Sequence, residues 1–183
     1  ITGFIKKVKL NISSKHFVRD LNFTFNIKDK KYFLEDIEGF FNQVKLLSPS
    51  IKVKEKNNQF LVSGKLLSKK DDNNIKVFIK LLENSFKDHS IESVNFSSDN
   101  NFTFAINKKF KVSNFNLESK IDLHSLLYKK NLSNVKKYLP NFKDTIKLKD
   151  HKILINYKKN KFDIKGEGRV LIQNKIDYIN YEV

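Results

Sequence analysis

Residues 17–27 read Phe-Val-Arg-Asp-Leu-Asn-Phe-Thr-Phe-Asn-Ile. The odd positions hold Phe17, Leu21, Phe23, Phe25 and Ile27, broken only by Arg19. The even positions hold Asp20, Asn22, Thr24 and Asn26, broken only by Val18. Successive side chains of a strand point to opposite sides, so this alternation predicts a strand with one apolar and one polar face. Eleven residues would extend over roughly 37 Å, about twice the usual strand. Similar alternation recurs to the C-terminus. The fold class expected is therefore mainly β (α+β): a long, antiparallel, curved meander whose function turns on what the apolar face touches.

Further strands are expected before the pattern changes. Val8, Leu10 and Ile12 alternate with Lys7, Lys9 and Asn11. A strand is expected over 37–47 with Gly39 as a bulge, and Ser48-Pro49-Ser50 should end it. Asn57-Asn58 between 51–56 and 59–67 is a hairpin signal, because asparagine tolerates positive φ. Asp71-Asp72-Asn73 can cap a helix, and Ile75, Phe78, Ile79, Leu82 and Phe86 follow at helical spacing. One amphipathic helix is expected over 74–87, and ordinary packing onto the sheet explains it more simply than a membrane surface does.

Strands resume at 91–96, with a turn expected at 97–100 and alternation again at Phe102, Phe104 and Ile106. Phe110 and Val112 are even, whereas Phe115, Leu117, Ile121 and Leu123 are odd; that parity switch predicts a bulge at Ser113-Asn114. Short helical turns are expected within about 125–139, at 126–128 and 133–139, closed by Pro140. Ile153, Ile155 and Tyr157, then Phe162, Ile164, Val170 and Ile172, then 176–183 complete the strands; Gly166-Glu167-Gly168 should mark a bend or bulge. Short loops make neighbours antiparallel. The chain is expected to be a single segment, with sub-modules 1–70 and 91–183 separated by the helix.

The chain has 183 residues, enough for one domain with a core, and a formal charge of +16. All but Arg19 and Arg169 of its 36 basic residues are lysines, Ala105 is the only alanine, and Trp is absent. AT-rich codon usage accounts for much of this, and nucleic-acid readers favour arginine. The lysines still attract anionic surfaces. Methionine is absent and the sequence starts at Ile1, so a processed or excised segment is expected. No apolar run is long enough to span a bilayer as a helix, and no signal peptide is visible. Absent cysteine excludes disulfides and thiolate metal sites.

The usual catalytic arrangements are missing. His16, His89, His124 and His151 show no metal-ligand spacing, and His89 and His151 read as surface-loop residues in charged turns. Of the paired acids, Asp71/Asp72 suits a helix cap, while Glu35/Asp36 and Asp163/Glu167 flank strands on the polar side. No serine sits in a nucleophile elbow. No enzyme activity, cofactor or metal is expected. Aromatics among lysines, as in Lys108-Lys109-Phe110-Lys111, could stack bases, but one-sided strands produce the same pattern.

Three stretches carry a resemblance: Gln59-Phe-Leu-Val-Ser-Gly-Lys-Leu-Leu67; residues 115–126, with Asp122-Leu123-His124-Ser125-Leu126; and Tyr138-Leu-Pro-Asn-Phe142 followed by Lys161-Phe-Asp-Ile-Lys-Gly-Glu-Gly168. Together they resemble the AsmA-like family of bacterial envelope proteins. The resemblance implies an internal segment of an inner-membrane-anchored protein that crosses the periplasm, with an apolar groove conducting phospholipid acyl chains toward the outer membrane. High lysine content and the expected helix depart from that pattern. The groove lining expected is Leu21, Phe23, Phe25, Phe102, Phe104, Ile106, Leu117, Ile121, Ile153, Ile155, Phe162 and Ile164. Burying a methylene is worth about 0.8 kcal/mol, so such a face gains from an acyl chain without any catalytic group. A basic nucleic-acid-binding module and a structural β-domain with a sealed core are the alternatives.

Overall fold

A computed structural model describes residues 1–11, 17–41, 44–69, 90–129, 137–138, 145–172 and 175–183. Ten strands follow one another: β1 (Thr2–Asn11), β2 (Phe17–Lys28), β3 (Lys31–Phe41), β4 (Val44–Lys56), β5 (Gln59–Ser68), β6 (Ser90–Asn107), β7 (Val112–Lys129), β8 (Thr145–Lys158), β9 (Lys161–Ile172) and β10 (Lys175–Glu182). They form one antiparallel sheet in sequence order, β1 to β10, and the sheet stays open because its first and last strands do not pair. Among the described residues each strand contacts only its ladder neighbours, so no second layer of strands covers either face. The helix expected over 74–87 falls outside the described residues, as does most of 133–139.

Three of the hairpins turn on two residues with positive φ: Asp29-Lys30, Asn57-Asn58 and Lys159-Asn160. Positive φ at both central positions matches the right-handed twist of paired strands, and Asn and Asp tolerate it. The hairpin signal at Asn57-Asn58 is borne out.

A line of irregularities crosses the first strands. Register shifts fall around Lys7 in β1, around Asp20 in β2 and between Leu47 and Ile51 in β4. Lys7, Asp20 and Asp36 each carry φ near +50°, as Asn114 and Asp150 do further on. Four of these five are Asp or Asn, the residues that visit the left-handed region most readily. Asn22 secures the first bulges: its carbonyl accepts from the Lys7 N–H at 3.0 Å, and its amide donates to the Asp20 carbonyl at 2.8 Å. Asn116 repeats the device, donating to the Asn114 carbonyl and to Thr103 Oγ1, both at 3.1 Å.

These bulges correct several expectations. The bulge at Asp20 puts Val18, which pairs with Phe41, on the side of Leu21, Phe23 and Phe25, and sends Phe17 and Arg19 to the other side. Arg19 is therefore exposed, and its guanidinium lies 5.1 Å from the centre of the Phe40 ring. The irregularity expected at Gly39 sits at Asp36, and β4 runs through Pro49 without ending there. The turn expected over 97–100 is continuous strand, because Asn100 donates to the Leu66 carbonyl at 3.0 Å and to Ser98 Oγ at 2.9 Å. Residues 126–128 are strand as well, paired with Leu148, Lys147 and Ile146. An extra residue at His124 shifts the register there and breaks the alternation that would have shown a strand. The bulge expected at 113–114 is present.

The bend or bulge expected at Gly166-Glu167-Gly168 lies in the facing strand: the β9–β10 register is unbroken, but β8 carries an extra residue between Lys149 and Lys152, opposite Glu167–Arg169, where Asp150 has positive φ. None of the glycines has positive φ. They supply space instead. A methyl group on Gly64 would sit 2.8 Å from the Phe102 ring and 2.9 Å from Ile51 Cγ1, and one on Gly3 would sit 2.7 Å from the Phe25 ring. Gly166 and Gly168 lie under Tyr181 and His151 in the same manner. Large side chains thus lie flat over gaps in the neighbouring strand. Gly64→Val should destabilise the chain by about 1–3 kcal/mol through overpacking. Asn58→Gly, at a turn that glycine also suits, should stay within about 0.5 kcal/mol. Urea unfolding followed by circular dichroism distinguishes the two.

Candidate functional site

Cross-strand partners share a face, so the ladder register assigns each side chain to a side. One row crosses nine strands: Gly3, Phe25, Leu34, Ile51, Gly64, Phe102, Leu117, Tyr157 and Phe162, each paired with the next. Alternation from this row places all twelve residues of the expected lining on this same side. Leu21 and Phe23 oppose Val8 and Ile5; Phe104 and Ile106 oppose Val62 and Phe60; Ile121 opposes Ile153; Ile155 opposes Ile164. Most of the twelve are half-buried, and Phe162 is 65% exposed. A sealed core would bury them, but one sheet with its own side chains lying sideways covers them only in part.

The aromatic members touch in sequence. Ring centres are 5.8 Å apart for Phe102 and Phe104, 6.4 Å for Phe104 and Phe115, 5.8 Å for Phe115 and Tyr157, and 4.6 Å for Tyr157 and Phe162. These separations suit tilted and offset aromatic pairs, which add to the cohesion of neighbouring strands.

Beside this run lies a trough of about 540 Å³ lined by Leu46, Leu66, Phe96, Leu123, Leu126 and Ile153 among others. That volume falls within the about 300–1,000 Å³ typical of small-molecule pockets. Ile121 and Ile153 are the members of the expected lining that reach it. Leu126 was hidden by its reading as a helical turn, whereas Leu123 and Phe115 carried the odd-position signal. A polar node interrupts the apolar wall. Buried Ser119 donates to Asn100 Oδ1 at 2.5 Å, and the Asn100 amide is held by Leu66 and Ser98 as described. The node is satisfied internally, so it offers an apolar guest no unpaired group.

His151 corrects the sequence reading most sharply. The expected surface-loop residue is 1% exposed, lies in β8 opposite Leu123, and rests over Gly168. Its Nε2–H donates to the Arg169 carbonyl at 3.0 Å, while Nδ1 has no partner among the described residues. The Tyr181 ring is 6.0 Å away, and burial raises the pKa of that phenol. The signal was legible: position 151 has the parity of Ile153 and Ile155, on the apolar face.

The opposite face is charged and partly paired. Lys45 meets Glu38 at 2.8 Å, Lys65 meets Asp99 at 2.6 Å, and Lys165 meets Glu182 at 2.6 Å. A wider depression of about 1000 Å³ on this side is lined by Lys120, Asp122, Lys152, Lys165, Glu167 and Glu182 with neighbouring residues. Its larger volume does not make it the better apolar site, since these charges would lose water on burial. No three His, Asp or Glu residues are grouped to hold a metal ion among the described residues. No helix there is long and apolar enough to cross a membrane. No protein-family model, curated protein or solved structure matches the chain.

Two outcomes test this geometry. Ser119→Ala strands Asn100 Oδ1 on a buried wall and should cost about 1–3 kcal/mol in urea unfolding. The second concerns Asp150, whose carboxyl is hydrogen-bonded by Arg169 and held below its ordinary pKa by that bond. A depressed folded pKa contributes stability above the unfolded value of about 4 that is lost as pH falls through the folded value. Asp150→Asn keeps a residue suited to the positive φ but removes the charge. The variant should therefore lose less stability than the parent between about pH 5 and pH 2.

Proposed function

We propose that this chain is a non-enzymatic, lipid-holding segment whose apolar sheet face takes up acyl chains. The observation that carries the reading is an apolar face spanning nine strands with no strand layer over it among the described residues. The trough beside Leu123 and Ile153 gives that face a concave seat. Each methylene moved from water onto such a surface gains up to about 0.8 kcal/mol, so a long acyl chain binds without directed polar contacts. On the resemblance to the AsmA-like family, the parent we propose is a periplasmic, inner-membrane-anchored protein that passes phospholipid between inner and outer membranes.

A basic nucleic-acid module is the second reading. What favours it is a concentration of lysines at one end of the sheet, considered in the next subsection.

Lipid extraction from the purified chain, followed by mass spectrometry, tests the first reading. Stoichiometric phospholipid or fatty acid is expected, and photo-crosslinkers replacing Phe23 or Phe104 should capture acyl chains. Crosslinkers at Lys52 or Lys120, on the charged face, should not. A lipid-free protein that also captures nothing from added phospholipid would refute the reading.

A further inference from the structure

We infer that the end of the sheet bearing the tight turns is a docking edge for an anionic bilayer surface. The inference concerns the rim and stands whatever occupies the apolar face. Antiparallel order puts the β2–β3, β4–β5, β6–β7 and β8–β9 turns at one end, with Ile1 beside them through its pairing with Ile27. Of the links at the other end only Lys69, Lys137 and Tyr138 are described, Tyr138 being 85% exposed.

Every one of these turns carries exposed lysine. Lys28 and Lys30 flank Asp29 at the first, and Lys54 and Lys56 stand before Asn57 at the second. Lys108, Lys109 and Lys111 form the third; Lys158, Lys159 and Lys161 form the fourth. None of them has an ion-pair partner among the described residues. Some polar-face lysines, such as Lys52 and Lys152, also lack one, so what marks the rim is that every turn carries two or three exposed lysines. Consecutive turns are two strands apart, about 10 Å. That is close to the Debye length of about 8 Å at physiological salt, so each turn can meet headgroups nearly independently of the next.

Phe110 decides the kind of anion. It is 86% exposed and has φ of 57°, a conformation that costs a bulky residue energy. The turn holds it there firmly. Its N–H donates to the Asn107 carbonyl at 2.9 Å, and Asn107 Oδ1 accepts from the Lys109 and Lys111 N–H groups at 2.9 and 3.0 Å. An exposed phenylalanine in an unfavourable conformation, flanked in sequence by Lys108, Lys109 and Lys111, packs against nothing in the described sheet and is free to meet an outside surface. Phe162 projects from the same end. Apolar anchors inserted among lysines that reach headgroups are the pattern of an interfacial membrane contact. Nucleic acid fits less well, because the described turns of this rim have no arginine for bidentate phosphate contacts.

Flotation of the 183-residue chain with vesicles tests the inference. Vesicles of phosphatidylcholine with and without about one-third phosphatidylglycerol supply the neutral and anionic surfaces. Binding to the anionic vesicles alone, falling steeply with salt, is expected. The K108Q/K109Q/K111Q variant should bind about a hundredfold more weakly, at about fivefold per lysine. Phe110→Asn, which also suits the positive φ, should lose about tenfold. Lys65→Gln on the flat face should bind as the parent does, and circular dichroism should show all variants folded. Undiminished binding by the triple variant overturns the inference. So does tighter binding to a single-stranded oligonucleotide than to anionic vesicles. Lipid content of the triple variant, read by mass spectrometry, should equal the parent's, which separates rim docking from loading of the apolar face.

Discussion

Lateral pairing between neighbouring strands is the interaction on which everything else in this protein depends. A sheet packed against a second layer draws stability from two faces pressed together. Among the described residues each strand meets only the next, so cohesion there runs sideways through ladder hydrogen bonds and cross-strand side-chain contacts. The row from Phe25 through Phe102 to Phe162 is that cohesion made visible. Glycines at positions 3, 64, 166 and 168 let large side chains fold over the adjoining strand and shield one another. The same arrangement leaves the apolar face half-covered, so that it serves as the protein's core while its side chains still reach the surface.

Much of this was legible as alternation. Every one of the twelve residues assigned to the apolar side from sequence lies on one side of the sheet, because period-two parity survives as long as no residue is added or lost. What alternation concealed were the places where a residue is added. Arg19 looked like a flaw in an apolar series; the bulge at Asp20 moves it to the polar side and brings Val18 into its place. Leu126 and Tyr128 looked helical because the extra residue at His124 shifted their parity. The polar run 97–100 read as a turn, yet Asn100 and Ser98 satisfy one another and the Leu66 carbonyl within a strand. His151 was misjudged by its charged neighbours Asp150 and Lys152 when its parity already placed it among Ile153 and Ile155. Single-position bulges are set by neighbouring-strand geometry as much as by local sequence, so they are the hardest element to read from the chain alone.

The proposed functions divide the molecule by geometry. On the polar face Lys45, Lys65 and Lys165 are matched to acids, while Lys52 and Lys152 on the same face have no ion pair among the described residues. The turn rim gathers lysines without partners and holds Phe110 outward. Between them, the apolar face runs along the strands toward that rim, where Ile27, Ile106 and Phe162 are its last members. A lipid-holding face and a headgroup-docking edge would therefore meet at right angles, with the acyl path opening where the bilayer touches.

The absence of native cysteine makes the central claim, an apolar face open in the folded state, directly measurable. A single cysteine replaces Ile121 in the trough wall, and its reaction with a small maleimide is compared with that of a cysteine at Lys108 on the rim. An open face predicts labelling within about tenfold of the rim site under native conditions, with protection when phospholipid is added. A trough cysteine that reacts only as fast as the whole chain unfolds, at least about a thousandfold slower, would show a sealed core and contradict the account.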